Sequence, residues 1–460
     1  MRVQPGSPSP VRRGPAILFA VDDHAKGNPV LRSELAELAE FFGTPLYVYD
    51  LDRVDAAYTA LRSALPAPSE LYYSLKANPL APLAARLADL GCRAEVSSQG
   101  ELTAAVGAGF DPGAFLYTGP AKRPADLDAA LALGCTQFSI ESPADARLVH
   151  AAAARARRTV TGLIRVNVER APSGTPMAFA GSRSSFGTGL STVLAEPHLF
   201  RPGRHLRIAG AHLFLAGNIA DGAVLLDTLG LAARTTGMLA QAGFPLEIAD
   251  LGGGFGSPYA QPGSPYDFSQ LAGGLAPVLD EALPGWRAGH PSVRFESGRY
   301  LAGSAGTLVV RVRDVKQSGG QRQVLVDSGI HHLGGMAGLR RVPPAQVVPL
   351  TGKTEGPQRA ARLVGELCTP LDLWSSGASL PESVAPGDLL AVPNVGAYGL
   401  TASLVGFLSH PCPIEVTVAD GQVTSATRAR IVREDAVVSE RTASAALSAA
   451  PLGRSHPPLS

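Results

Sequence analysis

Between residues 71 and 299 the hydrophobic positions follow two alternating rhythms. Short apolar runs read as strands, and each is followed by a segment with helical spacing that often ends in glycine. "LYYSLKA" (71–77) leads into "LAPLAARLADLG", "RAEVSS" (93–98) into "QGELTAAVGAG", and "AFLYTG" (114–119) into "ADLDAALALG". "QFSIES" (137–142), "TGLIRVNV" (161–168), "RIAGAHLFLAG" (207–217), "LEIADLGGG" (246–254) and "SVRFESGR" (292–299) complete the series, with a long helix expected to about 242 and another near 267–284. Strands alternating with Gly-terminated helices are the mark of βα units on a parallel sheet. Eight of them in this length predict a (β/α)8 barrel, a fold that typically takes about 250 residues.

After residue 300 the pattern changes. "AGTLVVRVRDVKQ", "RQVLVDSG", "AARLVGEL", "DLLAVPNVG" and "PIEVTVADGQVTSATRARIVRED" alternate as strands do and contain no long helical run, which predicts a β-rich second domain of sandwich or barrel type. The expected organisation is a loose N-terminus over 1–27, a segment over 28–50 packing with the β domain, the barrel over 51–299, the β-rich domain over 300–436, and a loose tail over 437–460.

Composition narrows the function classes. The chain has 460 residues, 45% hydrophobic and 17% charged, so it can bury a large core. Its net charge is +1 and it has no extended basic block, so neither nucleic acid nor an anionic membrane is an expected partner. The apolar run near the N-terminus, "AILFAV", is too short for a signal core or a membrane span, so a cytoplasmic, soluble protein is expected. Cys92, Cys135, Cys368 and Cys412 are far apart, and neither a disulfide framework nor a metal site is expected from them.

The chemistry is sought at the C-terminal ends of the strands, where such barrels carry their active sites. Lys76 ends the first strand. Taken alone it is an ordinary lysine past a strand end; in a barrel mouth, desolvation favours a neutral amine that can attack an aldehyde. "DLGGGFG" (250–256) follows strand seven, where glycines let backbone N–H groups close on a phosphate. "FESGR" (295–299) follows strand eight and sets a carboxylate, a glycine and an arginine in succession. Glu296 there suits a ring nitrogen, and Gly298 with Arg299 suits a phosphate. Lysine, phosphate loop and ring-facing carboxylate together point to pyridoxal 5'-phosphate (PLP).

The motifs "YYSLKANP", "AEVSSQGEL", "LGGGF", "ESGR", "GELCTPLD" and "GAYG" occur in the order found in the fold-type III PLP enzymes. Over about residues 30 to 435 the chain resembles the diaminopimelate/ornithine/arginine decarboxylase group, which joins an alanine-racemase-type barrel to a β domain. The resemblance implies that Lys76 carries the internal aldimine and that a quinonoid carbanion forms on decarboxylation. It implies that Glu296 faces the pyridine nitrogen and that Gly253, Gly254, Gly298, Arg299 and Tyr398 surround the phosphate. Glu95 and Arg165 become a supporting polar shell. Cys368 becomes a proton-handling thiol delivered from the partner subunit of a homodimer with shared active sites. A carboxylate at the ring nitrogen suits full carbanion formation, so decarboxylation of an amino-acid-like small molecule is expected over racemisation or another Cα-proton transfer. A catalytically inactive regulatory binder is a further alternative.

The chain also departs from that group. Where relatives have H-x-H-x-G-S, this sequence has "HLFLAGN" (212–218): His212 stays, Phe214 stands for the ring-stacking histidine, and Gly217 for the phosphate-binding serine. Thr369 follows Cys368 where an acidic residue meets the substrate's distal cation. Either that distal group is uncharged, or Asp372 or another residue meets it. "SSFG" (184–187) and "GFLSHP" (406–411) differ from the group as well. These changes point to a modified or carrier-linked amino-acid substrate.

Overall fold

The computed structural model describes residues 32–169, 173–181, 184–334, 345–352 and 356–433. The loose ends expected over 1–27 and 437–460 lie outside the described residues. Eight parallel strands close a barrel in chain order: Glu70–Ser74, Arg93–Val96, Leu116–Tyr117, Gln137–Ile140, Val160–Asn167, Leu206–His212, Ile248–Asp250 and Ser292–Ser297. Closure comes from the pairing of strand eight with strand one, in which Glu296 sits beside Tyr72. These are the eight runs picked out by hydrophobic rhythm, although strand one ends at Ser74. Lys76 instead lies in a 3-10 turn over Leu75–Ala77.

Local chemistry explains where the outer helices begin. Ser98, Ser142 and Asp221 each accept a backbone N–H with the side chain at the start of a helix, filling donors that the helix itself leaves free. The long helix runs Gly222–Gln241, and the next Leu271–Ala282. Their buried faces join the continuous apolar core between strands and helices.

A second, mostly antiparallel sheet follows the barrel. Strand Leu46–Asp50, which precedes the barrel in the chain, lies in this sheet between Gly306–Ser318 and Ile414–Ala419. Gln321–Val326, Gln358–Val364 and Leu373–Pro381 extend it on one side, and Leu389–Pro393 pairs with Gly306–Ser318. The strand 373–381 was not expected, because its core "SSGAS" lacks the apolar alternation of its neighbours. The described residues to Arg428 form one compact unit; residues 429–433 fall outside it and carry no regular element. Among the described residues, no helix is long and apolar enough to cross a membrane.

Candidate active site

The C-terminal ends of the barrel strands open on a cavity of about 830 Å³. Lys76, Glu95, Arg165, Phe214, Gly217, Gly254, Glu296, Gly298, Arg299 and Tyr398 all line it. Sequence reading named each of them. The Lys76 turn is fixed by its neighbours: Tyr73 donates its hydroxyl to the Asn78 carbonyl at 2.7 Å, and Asn78 donates to the carbonyl of Gly396 at 2.8 Å. The Tyr398 N–H in turn donates to the Ala77 carbonyl at 2.8 Å. "LKAN" and "GAYG" are therefore one structural unit, tying the cavity wall to the second sheet.

Lys76 is 43% exposed, towards the cavity, and its Nζ lies 3.1 Å from both oxygens of Glu95. The expectation of a neutral amine is corrected here. Burial does work against the charge, but the fields of Glu95, Tyr398 and Glu296 and the hydrogen bond to Glu95 outweigh it, and the lysine pKa is raised. Glu95 is the complement. Its own burial works to raise it, yet Lys76 and hydrogen bonds from Ser74, Thr118 and Lys76 bring it down to about 2. The Thr118 hydroxyl donates to Glu95 at 2.7 Å.

At the strand-eight wall the balance reverses. Glu296 is 1% exposed, and burial together with the Glu95 field pushes its pKa up to about 8, against the pull of Lys76 and Arg165. His212 Nε2 lies 3.1 Å from Glu296, and its Nδ1 is 2.8 Å from the Ser139 hydroxyl. Burial brings His212 down to about 4, so it is neutral. Asp250 is also buried, and burial with the Glu296 field pushes it up to about 7. One polar atom each from His212, Asp250 and Glu296 lies within 4.8 Å of the others. Asp250, at the end of strand seven beside the glycines, was not singled out from sequence; its place at a strand end next to "GGG" was the available signal.

The anion end is built from backbone and cation. A Cβ on Gly253 would lie 1.9 Å from the Glu296 carbonyl oxygen, so only glycine lets strand seven's loop pack on strand eight. Gly253 thus shapes the wall, while Gly254 faces the cavity. The Arg299 guanidinium stands 4.6 Å from the Tyr398 ring and 5.5 Å from the Tyr259 ring, with no carboxylate partner among the described residues. Ser297 lines the cavity, and its buried hydroxyl has no partner. An unpaired guanidinium beside a free hydroxyl donor suits a phosphate. The Glu296 Oε1 is likewise buried and makes no hydrogen bond, His212 Nε2 lying 3.1 Å away without bonding it, and it suits a ring N–H. The residues present fit PLP.

Phe214 meets Phe179 edge-on, with ring centroids 5.1 Å apart, and Phe179 is 5.8 Å from Phe186. The three rings give the cavity an aromatic side. Phe179 and Phe186 belong to the aperiodic stretch after strand five, where only "SSFG" (184–187) stood out in the sequence and Phe179 did not. That stretch is held down by Glu141: it accepts the Gly187 N–H at 2.7 Å and pairs with Arg165 at 3.3 Å, while Arg165 lies over Phe186 at 4.6 Å.

Cys368, Thr369 and Asp372 do not line this cavity. Cys368 is an exposed free thiol. Asp372 is corrected as a substrate-binding candidate. Its carboxylate is buried, accepting the N–H groups of Ile330 and Leu367 at 2.8 Å each, and a Cβ on Gly365 would lie 2.1 Å from it. It anchors the Cys368 loop rather than facing a ligand.

Comparison with known proteins agrees with this geometry. Residues 51–303 match the model of the pyridoxal-dependent decarboxylase family, pyridoxal binding domain. A decarboxylase of L-glutamyl-BtrI acyl-carrier protein from Niallia circulans is 30% identical over 85% of this chain and 92% of its own. Diaminopimelate decarboxylase of Aquifex aeolicus is 29% identical over 85% of this chain and 90% of its own. In fold, diaminopimelate decarboxylase from Helicobacter pylori, solved with L-lysine, is similar with TM-score 0.75 at 24% identity, covering 85% of this chain and 95% of the other. With the family model spanning more than half of its length, this chain belongs to the pyridoxal-dependent decarboxylases.

Proposed function

We propose that this enzyme binds PLP through Lys76 and removes the α-carboxylate of an amino-acid unit whose distal end carries no free cation, as in an amino acid joined to a carrier. The observation that carries the reading is the single cavity shared by the Lys76 amine, the proton-holding Glu296 and the unpaired Arg299. Bound PLP supplies an electron sink for the pair released when carbon dioxide leaves. Lys76 supplies the amine, Glu95 holds it in place as an ammonium until it gives up its proton, and Glu296 keeps a proton at the ring nitrogen. His212, fixed by Ser139, stands beside Glu296 as a neutral ring. Arg299, Ser297 and the backbone near Gly254 and Gly298 hold the phosphate. Support for an uncharged distal group comes from Thr369 after Cys368, from the anchoring of Asp372 to backbone, and from the aromatic wall of Phe179, Phe186 and Phe214. The Niallia relative, a decarboxylase of a glutamyl carrier protein by name, makes a carrier-linked substrate the favoured form. Exposed Cys368 outside its own chain's cavity favours a homodimer in which the thiol reaches the partner's site and returns a proton to the α-carbon.

The test is carbon dioxide release from free diaminopimelate, ornithine and glutamate, and from a dicarboxylic amino acid such as glutamate loaded on a carrier protein as a thioester of its side-chain carboxyl, with the α-carboxylate free. Turnover is expected with a loaded carrier and not with the free diamino acids. Lys76→Ala should lower it on the order of 10³-fold or more, the scale of losing a covalent group. Efficient turnover of free diaminopimelate or ornithine overturns the substrate reading. Cα hydrogen exchange without carbon dioxide release would favour proton transfer instead.

A further inference from the structure

Outside the barrel, four titratable side chains meet at the second sheet, and the decarboxylation chemistry uses none of them. His331 follows the strand Gln321–Val326 and is fully buried, yet neither ring nitrogen has a hydrogen-bond partner. Two bare nitrogens in a dry site are costly unless something occupies them. His331 Nε2 is 3.5 Å from Glu366 Oε1, and the same oxygen is 3.4 Å from His410 Nδ1. The Glu366 and His410 side chains are 31% and 32% exposed, so the cluster opens to solvent on one side. The His332 ring lies against His331, tilted by 40°, with centroids 3.6 Å apart. Its Nε2 donates to the Pro411 carbonyl at 3.0 Å, which leaves Nδ1 as the acceptor, in a long bond of 3.3 Å from the Ser328 hydroxyl. One ligand atom each from His331, His332 and Glu366 lies within 4.8 Å of the others.

An ordinary imidazolium–carboxylate pair does not account for this arrangement. Charge-assisted N–H···O bonds run about 2.7–2.9 Å. The observed 3.5 and 3.4 Å are longer, and one carboxylate oxygen sits between two rings at nearly equal distance. Around a tetrahedral ion with bonds of about 2.0–2.2 Å, neighbouring ligand atoms are about 3.3–3.6 Å apart. The His331–Glu366 distance therefore matches one edge of such a polyhedron, and His332 lies within reach of both.

We propose that His331, His332 and Glu366 bind one divalent transition-metal ion, His332 through Nδ1, with water in the fourth position and His410 steadying the Glu366 carboxylate. Imidazole with a single carboxylate favours zinc over magnesium or calcium. No C-x-x-C or H-x-x-H spacing announces the site, because its ligands come from two distant segments, and no metal site was expected. Glu366 stands two residues before Cys368, and its N–H bonds the Ser328 carbonyl at 3.2 Å. The ion would tie the root of the Cys368 loop to the segment of His331 and His332. The proposal is independent of which substrate the enzyme takes.

The experiment uses the full-length, untagged holoenzyme, stripped with a chelator and titrated with zinc ion alone. One equivalent is expected to bind tightly and to raise the melting temperature. Glu366→Gln/His410→Ala changes two part-exposed side chains and should weaken binding by 10²-fold or more, while Cys368→Ser leaves it unchanged. Cobalt in the parent protein should give the intense visible bands of a tetrahedral N/O site, absent in the double variant. Absence of stoichiometric zinc binding overturns the site, as does parental affinity in the double variant or loss of binding in Cys368→Ser.

Discussion

At the lysine end of the cavity Glu95 is ionised; at the strand-eight wall Glu296 keeps its proton. Both are buried glutamates at the ends of barrel strands, so burial alone cannot separate them. Their partners do. Glu95 faces an ammonium 3.1 Å away and takes a hydroxyl donor from Thr118. Glu296 faces a neutral imidazole, the carboxyl of Asp250 whose own pKa is pushed up to about 7, and the negative field of Glu95 itself. The ionised glutamate thus helps to keep the other protonated, a division of labour that lets one cavity hold a cation at one end and store protons at the other.

Removing the stored proton breaks the comparison most severely. Glu296→Gln keeps the shape but cannot hold charge at the ring nitrogen, and decarboxylation should fall about 10²–10³-fold, the usual loss when one preorganised electrostatic group goes. Stability of the apoprotein gives a second readout. Because the Glu296 pKa is raised to about 8, the folded state binds more protons than the unfolded one above the ordinary glutamate range. Its contribution to stability is full at low pH and is lost as pH rises through about 8. Urea melts of the apoprotein should therefore show stability declining toward about pH 8 in the parent. In Glu296→Gln the decline should be shallower and should end below about 7, because Asp250 keeps its burial but loses the Glu296 field. An identical decline in both proteins would mean Glu296 is already ionised.

Glu95→Gln attacks the other half. A hydrogen bond to a charged group is worth about 1.5–3 kcal/mol, so activity should fall about 10–100-fold. Two pKa values should move together. Without the carboxylate Lys76 loses its main support, its pKa falls, and capture of an aldehyde by the apoprotein begins at lower pH. Glu296 loses the field that raises it, so its titration also moves down. A lysine shift without a glutamate shift would show that the two ends are uncoupled.

How far the sequence foretold this site depends on what fixed each residue. Lys76, Glu95, His212 and Glu296 were legible because each stands at or just past the end of an apolar strand, and barrel geometry sends those positions to one mouth. The charge state of Lys76 was not legible: it depends on a contact with Glu95 that only the curvature of the barrel creates. Asp372 looked free because backbone N–H partners leave no trace in a sequence; Gly329 and Gly365, which make room for it, are the only hint. Phe179 and Phe186 come from an irregular stretch, and their meeting with Phe214 is a long-range event that no periodicity encodes.

Phe214 offers the smallest and most selective change. Its ring lies 5.8 Å from Lys76 Nζ and edge-on to Phe179, where it can pack on the cofactor ring but cannot carry a proton. An aromatic pair adds about 0.5–1.5 kcal/mol beyond its buried area, so Phe214→Ala should weaken PLP binding about 2–10-fold in equilibrium dialysis. The pH dependence of activity should stay where Glu95 and Glu296 set it. Phe214→His should recover much of the affinity while adding a titrating ring beside the lysine. A pH profile that moves with Phe214→Ala would mean that the aromatic wall sets the proton balance by excluding water, and the contrast between the two glutamates would then depend on hydration as well as on their partners.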